Sequence, residues 1–261
     1  MASPYSVIKV GGAVLDHPNA LANLLTALAE TRTPFVLVHG GGSQTDHMLK
    51  QAGYQSEKIN GQRVTPQAHM DIVTGALAGT VNKRIVGIAQ HAGFKAVGLS
   101  LADGPLLYMQ RNHQLGCVGE PSIENQDGIG ATLLTLLLAQ GFLPVVSSIG
   151  VDQTGQLLNV NADYAAAALA NVLGARLILL SDVSAIVDAT GKPLSVLAFS
   201  EAQRLLQQDF ILGGMKVKLA AALLAAERSR RITAIAGWAQ PESVIALLHG
   251  EYRGTCILPA K

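Results

Sequence analysis

The chain has 261 residues, of which 49% are hydrophobic, and a formal net charge of +1. That length and apolar content supply one large α/β domain or two modest ones and exclude a disordered chain. The near-neutral balance, without a basic run or an aromatic stacking platform, excludes a nucleic-acid binder. Cys117 and Cys256 lie far apart without CxxC spacing, so neither a zinc site nor a disulfide framework is indicated. No cationic stretch leads into an apolar run, and no apolar stretch is long enough to span a bilayer, so the expectation is a soluble, unprocessed, cytoplasmic protein.

Short apolar runs alternate with longer helical patterns, the signature of βαβ units around a mainly parallel sheet. Val7–Val10 and Phe35–Val38 read as strands buried on both faces. Between them, Asn19–Glu30 reads as a helix with leucines at 21, 24, 25 and 28 on one face. Thr65 reads as an N-cap with Pro66 at the first helical position, and the helix runs to about His91 and ends at Gly93. Gly75 and Gly79 lie four apart along it and leave room for close packing of another helix. Ala96–Leu99 and Leu143–Ser147 read as further strands. Leu106–Gln110 and Gln114–Val118 flank Asn112-His113 as an antiparallel hairpin that could serve as a lid. Asp163–Leu173 reads as an alanine-rich helix closed by Gly174, followed by a strand from Arg176 to Leu180 that ends in Ser181-Asp182. Ser200 with Gln203 forms a capping-box pattern. Gly213 onward opens the helix Met215–Arg228, and Ile232–Ala236 and Thr255–Leu258 close the chain as strands. A soft boundary near Gly174 divides residues 1–174 from 175–261.

Three glycine–lysine sites fall where these elements meet. Lys9-Val10-Gly11-Gly12 follows the first strand, His39-Gly40-Gly41-Gly42 follows the second, and Gly213-Gly214-Met215-Lys216-Val217-Lys218 opens a helix. Glycines at strand ends let backbone N–H groups approach an anion, and helix N-termini add positive dipole. Alone, Lys9 reads as a lysine snorkelling from a strand end; followed by Gly11-Gly12, it points to anion binding. Lys216 and Lys218 sit two positions apart, so only one of them is expected to reach a site. Asn159-Val160-Asn161-Ala162-Asp163 precedes a helix that needs one cap, which leaves Asp163 free to orient lysines and Asn159 to bind a substrate. Arg63 is either a solvated arginine or the fork for a substrate carboxylate. His39 reads equally as structural or functional. Together these residues indicate phosphoryl transfer between two negatively charged partners.

The same segments, with Asn60-Gly61-Gln62-Arg63-Val64-Thr65, Thr74-Gly75-Ala76-Leu77-Ala78-Gly79 and Leu180-Ser181-Asp182-Val183, resemble the amino acid kinase family over nearly the whole chain. The resemblance implies an αβα sandwich on a mainly parallel sheet, with an N-terminal substrate-binding and dimerisation lobe and a C-terminal nucleotide-binding lobe. It implies transfer of a phosphoryl group from ATP, with Mg²⁺ held through the nucleotide phosphates, to the side-chain carboxylate of N-acetyl-L-glutamate. Lys9, Asp163 and Lys218 would be catalytic, with Asp163 holding the lysines. Gly11 and Gly12 would contact phosphate, and Gly41, Gly42, Arg63 and Asn159 the substrate. The nucleotide would lie against Asp182, Val183, Ser184, Ala185, Ile186 and Val187, and against Phe210, Ile211 and Leu212. Arginine-inhibited members carry an N-terminal helix that links dimers into hexamers; only eight residues precede Lys9, so an arginine-insensitive homodimer is expected. A kinase of a related acceptor such as acetylaminoadipate or glutamate is the nearest rival. A catalytically silent amino-acid sensor is another, against which the joint presence of Lys9, Asp163 and Lys218 speaks. No GxGxxG opens a helix after the first strand, which excludes a dinucleotide-dependent dehydrogenase.

Overall fold

A computed structural model describes residues 5–59, 61–104, 106–122 and 129–260. The first half comprises β1 (Ser6–Val10), α1 (Gly12–Leu15), α2 (Pro18–Thr31), β2 (Phe35–His39), α3 (Gly42–Gln51), β3 (Lys58–Ile59) and β4 (Gln62–Arg63), then a 3-10 turn (Gln67–His69), α4 (Met70–Thr74), a π-helical segment (Gly75–Val81), α5 (Asn82–His91) and β5 (Lys95–Ser100). It continues through β6 (Met109–Asn112), β7 (Val118–Pro121), α6 (Ile129–Ala139), β8 (Phe142–Ser147), β9 (Ile149–Val151), β10 (Leu157–Val160) and α7 (Ala162–Leu173). The remainder is β11 (Arg176–Ser181), β12 (Val196–Leu197), α8 (Phe199–Leu206), α9 (Gly213–Arg228), β13 (Thr233–Gly237), α10 (Pro241–Leu248) and β14 (Thr255–Ile257).

Eight strands form one sheet in the order β12-β14-β13-β11-β1-β2-β8-β5, parallel throughout except where β13 meets β14. The sheet runs unbroken past Gly174, because β11 pairs directly with β1. β1 is the switch point: β2, β8 and β5 extend from one side of it and β11 and its neighbours from the other. In open α/β sheets a ligand crevice forms outside the carboxyl ends of the strands at such a point.

Strand residues alternate between the two faces, and this alternation sorts the core. Val7, Val36, Val38, Leu177 and Leu179 pack with α6, α7, α8 and α9. Ile8, Val10, Phe35, Leu37, Ile178 and Leu180 pack with α2, α5 and α10. The leucines at 21, 24, 25 and 28 of α2 are all buried in the second cluster, as their period requires. Each such side chain contributes about 1.5–3 kcal/mol by leaving water. The result is the expected three-layer αβα sandwich.

A second, four-stranded sheet, β6-β7-β10-β9, grows directly from the carboxyl end of β8. Here the structure differs from the simple hairpin reading. Met109 pairs with Pro121 and Asn112 with Val118, so Gln114 and Leu115 belong to the turn rather than to a strand. Asn112 Oδ1 accepts the Gln114 N–H at 3.1 Å, and Gly116 adopts φ +87°, which together lengthen the turn. Thr65 does not cap a helix either. Its N–H donates to Leu115 O and its C=O accepts from Cys117 N, so Pro66 takes the cap position of the 3-10 turn. Ser200 lies inside α8; the N-cap is Ala198, whose N–H donates to Glu201 Oε2 at 2.8 Å. Ala198 is extended because the chain arrives there from β12, which places Glu201, not Gln203, three residues on. Among the described residues no helix is long and apolar enough to cross a membrane.

The bridge between Thr65 and Gly116 ties the β3–β4 hairpin to the small sheet. A Cβ at Gly116 would stand 2.5 Å from Thr65 O at φ +87°. Gly116→Ala is expected to lower the unfolding free energy by about 1–3 kcal/mol in urea titrations; an unchanged midpoint would show that the bridge is not rigid.

Candidate functional site

Alternation along β1 aims Lys9 at the same face as Val7, toward α7 and α9. There Lys9 Nζ lies 2.8 Å from Asp163 Oδ1, and Lys218 Nζ, from α9, lies 3.1 Å from both Asp163 oxygens. Asn161 caps α7 by accepting the Asp163 and Tyr164 N–H groups at 2.9 and 3.4 Å, which sets Asp163 in the first turn. Lys9 and Asp163 are 6% and 7% exposed. Burial alone would push the Asp163 carboxyl up, but the two ammoniums outweigh it and hold its pKa below the ordinary value. Burial and the Lys9 charge pull the Lys218 pKa down, with Asp163 acting against them. Two buried cations thus share one anion, leaving an excess positive charge that favours a bound anion. Lys216, by contrast, is exposed.

These groups border a cavity of about 240 Å³ at the carboxyl ends of β1 and β2. Lys9, Gly11, Gly12, Gly41, Gly42, Arg63, Asn159 and Asp163 all line it, and Lys218 joins through Asp163. A Cβ at Gly11 would lie 3.3 Å from Lys9 Nζ, and one at Gly41 would meet Leu77 Cδ2 at 2.9 Å. Gly41 is the N-cap of α3, whose dipole points its positive end at the cavity. Arg63 is held by Asp46, by Ser56 Oγ and by Gly42 O, the last at 3.0 Å. Asp46 also accepts from Lys58 at 3.1 Å. Burial resists ionisation of Asp46, yet Arg63, Ser56 and Lys58 hold its pKa at about 2. Asn159 Nδ2 donates to Thr65 Oγ1 at 3.0 Å. Asn60 lies outside the described residues.

Thr45, Lys58, Leu77 and Ser148 also line the cavity but are not assigned to a site from the sequence, although Leu77 lies within one of the quoted motifs. Thr45 carries a signal, being four residues after Gly41 in α3, where its Oγ1 donates to Gly41 O at 2.7 Å. Leu77 comes from the π-helical segment and Ser148 from the junction of the two sheets, places that only the folded chain defines. His39 points to the opposite face from Lys9. Its Nδ1 lies 2.7 Å from Gly40 O and its Nε2 3.0 Å from Asn82 Nδ2.

The segment from Asp182 to Val187 leaves the end of β11, and Phe210, Ile211 and Leu212 lead into α9. None of these lines the Lys9 cavity. Val183, Val187, Phe210 and Leu212 expose 41–68% of their surface, whereas Ile186 and Ile211 are buried in the core. A larger cavity of about 1110 Å³ lies at the other end of the sheet, beside Ser6 and Arg176. Two of its arginines serve helix C-termini: Arg176 donates to Leu247 O and Arg231 Nε to Gly174 O. It holds none of the lysine–glycine motifs.

The amino acid kinase family model matches residues 4–236. The acetylglutamate kinase of Colwellia psychrerythraea is 48% identical over 255 residues, covering 97% of this chain and 96% of that protein. That of Moritella profunda is 46% identical over 254 residues, covering 95% and 94%. The fold is similar to N-acetylglutamate synthase from Neisseria gonorrhoeae complexed with coenzyme A and N-acetyl-glutamate (TM-score 0.83, 21% identity, 100% of this chain and 61% of that one). It is also similar to carbamate kinase from Giardia lamblia bound to AMP-PNP (TM-score 0.72, 15% identity, 99% of each chain).

Burial, with the Lys83 and Lys9 charges, lowers the His39 pKa from 6.5 to about 4 against the raising effect of Gly40 O. Between those values the unfolded chain holds a proton that the folded chain lacks, so acidification favours unfolding. Stability should fall from pH 6.5 toward pH 4 by up to about 1.4 kcal/mol per unit from this residue. Urea titrations across that range should show a shallower slope in His39→Asn.

Proposed function

The chain belongs to the amino acid kinase family, and on that premise we propose how its residues divide the work. The enzyme phosphorylates the side-chain carboxylate of N-acetyl-L-glutamate with ATP, giving N-acetylglutamyl 5-phosphate in arginine biosynthesis. Substrate carboxylate and γ-phosphate repel each other, and little covalent work is left to the protein, so positioning and fixed positive charge carry the catalysis. Lys9 and Lys218 stabilise the phosphoryl group in transfer, and Asp163 holds both ammoniums in place. A charge pair at ~4 Å is worth roughly 4 kcal/mol at an effective dielectric near 20. Gly11, Gly12, Gly41 and Gly42 offer backbone N–H groups to phosphate and carboxylate oxygens. Arg63 and Asn159 grip the acetylated amino acid. The observation that carries this reading is the buried pair of lysines sharing one carboxylate beside a glycine-lined cavity.

ATP lies on the C-terminal side of the crevice, against 182–187 and 210–212. The exposed apolar side chains Val183, Val187, Phe210 and Leu212 support this, being suited to a base and ribose. Mg²⁺ fits no protein-built cage: among the described residues no group of three His, Cys, Asp or Glu side chains could hold a metal, and Asp163 is taken up by the lysines. The ion would therefore come with the nucleotide phosphates. The chain forms a homodimer through the π-helical face, where a Cβ at Gly75 or Gly79 would meet nothing within 4 Å.

Hydroxylamine trapping of the acyl phosphate should give strong hydroxamate signal with N-acetylglutamate and little with N-acetylaminoadipate or glutamate; the reverse order would move the pocket assignment of Arg63 and Asn159. Lys9→Ala and Lys218→Ala should each lower kcat by about 10²–10³, as loss of an oxyanion donor does. Near-normal turnover in either would sink the assigned roles. Light scattering should give twice 27.2 kDa for the wild type and a monomer for Gly79→Arg; a wild-type monomer would remove the dimer proposal.

A further inference from the structure

The hydrogen bonds around His39 close on one tautomer. Asn82 turns its amide nitrogen toward two carbonyls, Val145 O at 2.9 Å and Leu99 O at 3.2 Å. A flipped amide would set its oxygen against both, so Nδ2 is fixed as the donor side. That same nitrogen lies 3.0 Å from His39 Nε2; its two hydrogens are shared among three acceptors, and an amide nitrogen offers no lone pair to an Nε2–H, so Nε2 stands as an acceptor without a proton. The ring proton is left on Nδ1, 2.7 Å from Gly40 O, an atom that can only accept. A doubly protonated ring would set N–H against N–H at Asn82, in a site with no solvent exposure.

The consequence reaches the cavity through one peptide plane. Among the described residues there are no cis peptide bonds, and in a trans peptide the C=O and N–H point in opposite directions. His39 projects from β2 toward α5, away from Lys9. With Gly40 C=O turned to its ring, Gly41 N–H is turned the other way, toward the side of the sheet that carries Lys9 and Asp163. That N–H donates to no group among the described residues.

We propose that His39 is a positioning residue whose Nδ1–H locks the Gly40–Gly41 peptide, so that Gly41 N–H stands as a fixed donor for the substrate carboxylate and the oxygens in transfer. The proposal rests on the reading above that Gly41 binds substrate. The lock has a purpose because a glycine peptide is otherwise free to rotate through both signs of φ. A donor aimed in advance costs no reorganisation when charge develops. Asn82, tied to β8 and β5 through Val145 O and Leu99 O, fixes the ring in turn.

Two variants separate this role from a structural one. The amide nitrogen of asparagine can stand where Nδ1 stands, and the side-chain amide of glutamine where Nε2 stands. His39→Gln should keep the Asn82 contact, lose the bond to Gly40 O and lower kcat/KM for N-acetylglutamate by about 10- to 100-fold, less than deletion of an oxyanion donor because the N–H is misaimed rather than removed. His39→Asn should recover most of that loss. Equal loss in both, loss in His39→Asn alone, or wild-type kinetics in both overturns the proposal. Two-bond ¹H–¹⁵N spectra of the wild-type chain, assigned from the peak missing in either variant, should show His39 neutral and protonated on Nδ1 at pH 7. An Nε2–H or charged ring overturns it independently of activity. If the wild-type chain makes no hydroxamate from N-acetylglutamate, the functional reading fails by itself, and the spectrum still decides the tautomer.

Discussion

One carboxylate cannot neutralise two ammoniums, and the centre of this molecule is built around that imbalance. Asp163 meets Lys9 at 2.8 Å and Lys218 at 3.1 Å, all three largely out of water. Removing charges from water costs several kcal/mol per ion, which such a cluster recovers only with close geometry. The elements around it supply that geometry. β1 is buried on both faces and cannot shift without displacing both core clusters. α7 is pinned at its first turn by the Asn161 cap. α9 packs along α7 and brings Lys218 to the same carboxylate. The excess charge has no ion-pair partner other than Asp163 among the described residues, which favours an anion beside it.

The two faces of the sheet divide the labour. On the α7 and α9 side stand the charges. On the α5 side stand His39 and Asn82, neutral and fully buried, engaged with the Gly40 carbonyl just beyond β2 and with backbone carbonyls of β5 and β8. Successive strand ends therefore carry different chemistry on different faces. The glycines between them let one backbone serve both. A side chain at Gly11 or Gly41 would press on Lys9 Nζ or Leu77 Cδ2, which would have to give way.

The small sheet explains why the Arg63 and Asn159 side of the cavity is assembled from distant segments. It springs from the end of β8, takes Asn159 from β10 and holds the β3–β4 hairpin through Thr65 and Gly116. Arg63 reaches the cavity only because that hairpin is held down, and Asp46 from α3 clasps it from the other side. The segments 182–187 and 210–212, in contrast, lie outside the lining of that cavity. Their exposed apolar residues sit close to buried ones, Ile186 and Ile211, that root each loop in the core.

Much of this was legible in the amino-acid sequence, for local reasons. Continuous apolar runs marked β1, β2 and β11, leucine spacing marked α2, and glycine after a strand marked the turns that line the cavity, because each is a property of neighbours along the chain. The sequence did not decide whether Arg63 was solvated or His39 structural, because both answers depend on residues far along the chain: Asp46 and Gly42 for one, Asn82 for the other. The helix start near Pro66, the turn after Asn112 and the cap of α8 also moved by a few residues, since cross-chain partners claimed the backbone groups first. Leu77 stood within a quoted motif without a role, and Ser148 had no signal at all, as a π-helical segment and a junction between sheets exist only in the folded chain. Local hydrogen bonding and periodicity thus determined the elements and the charged residues, while long-range packing alone decided which of them share a cavity.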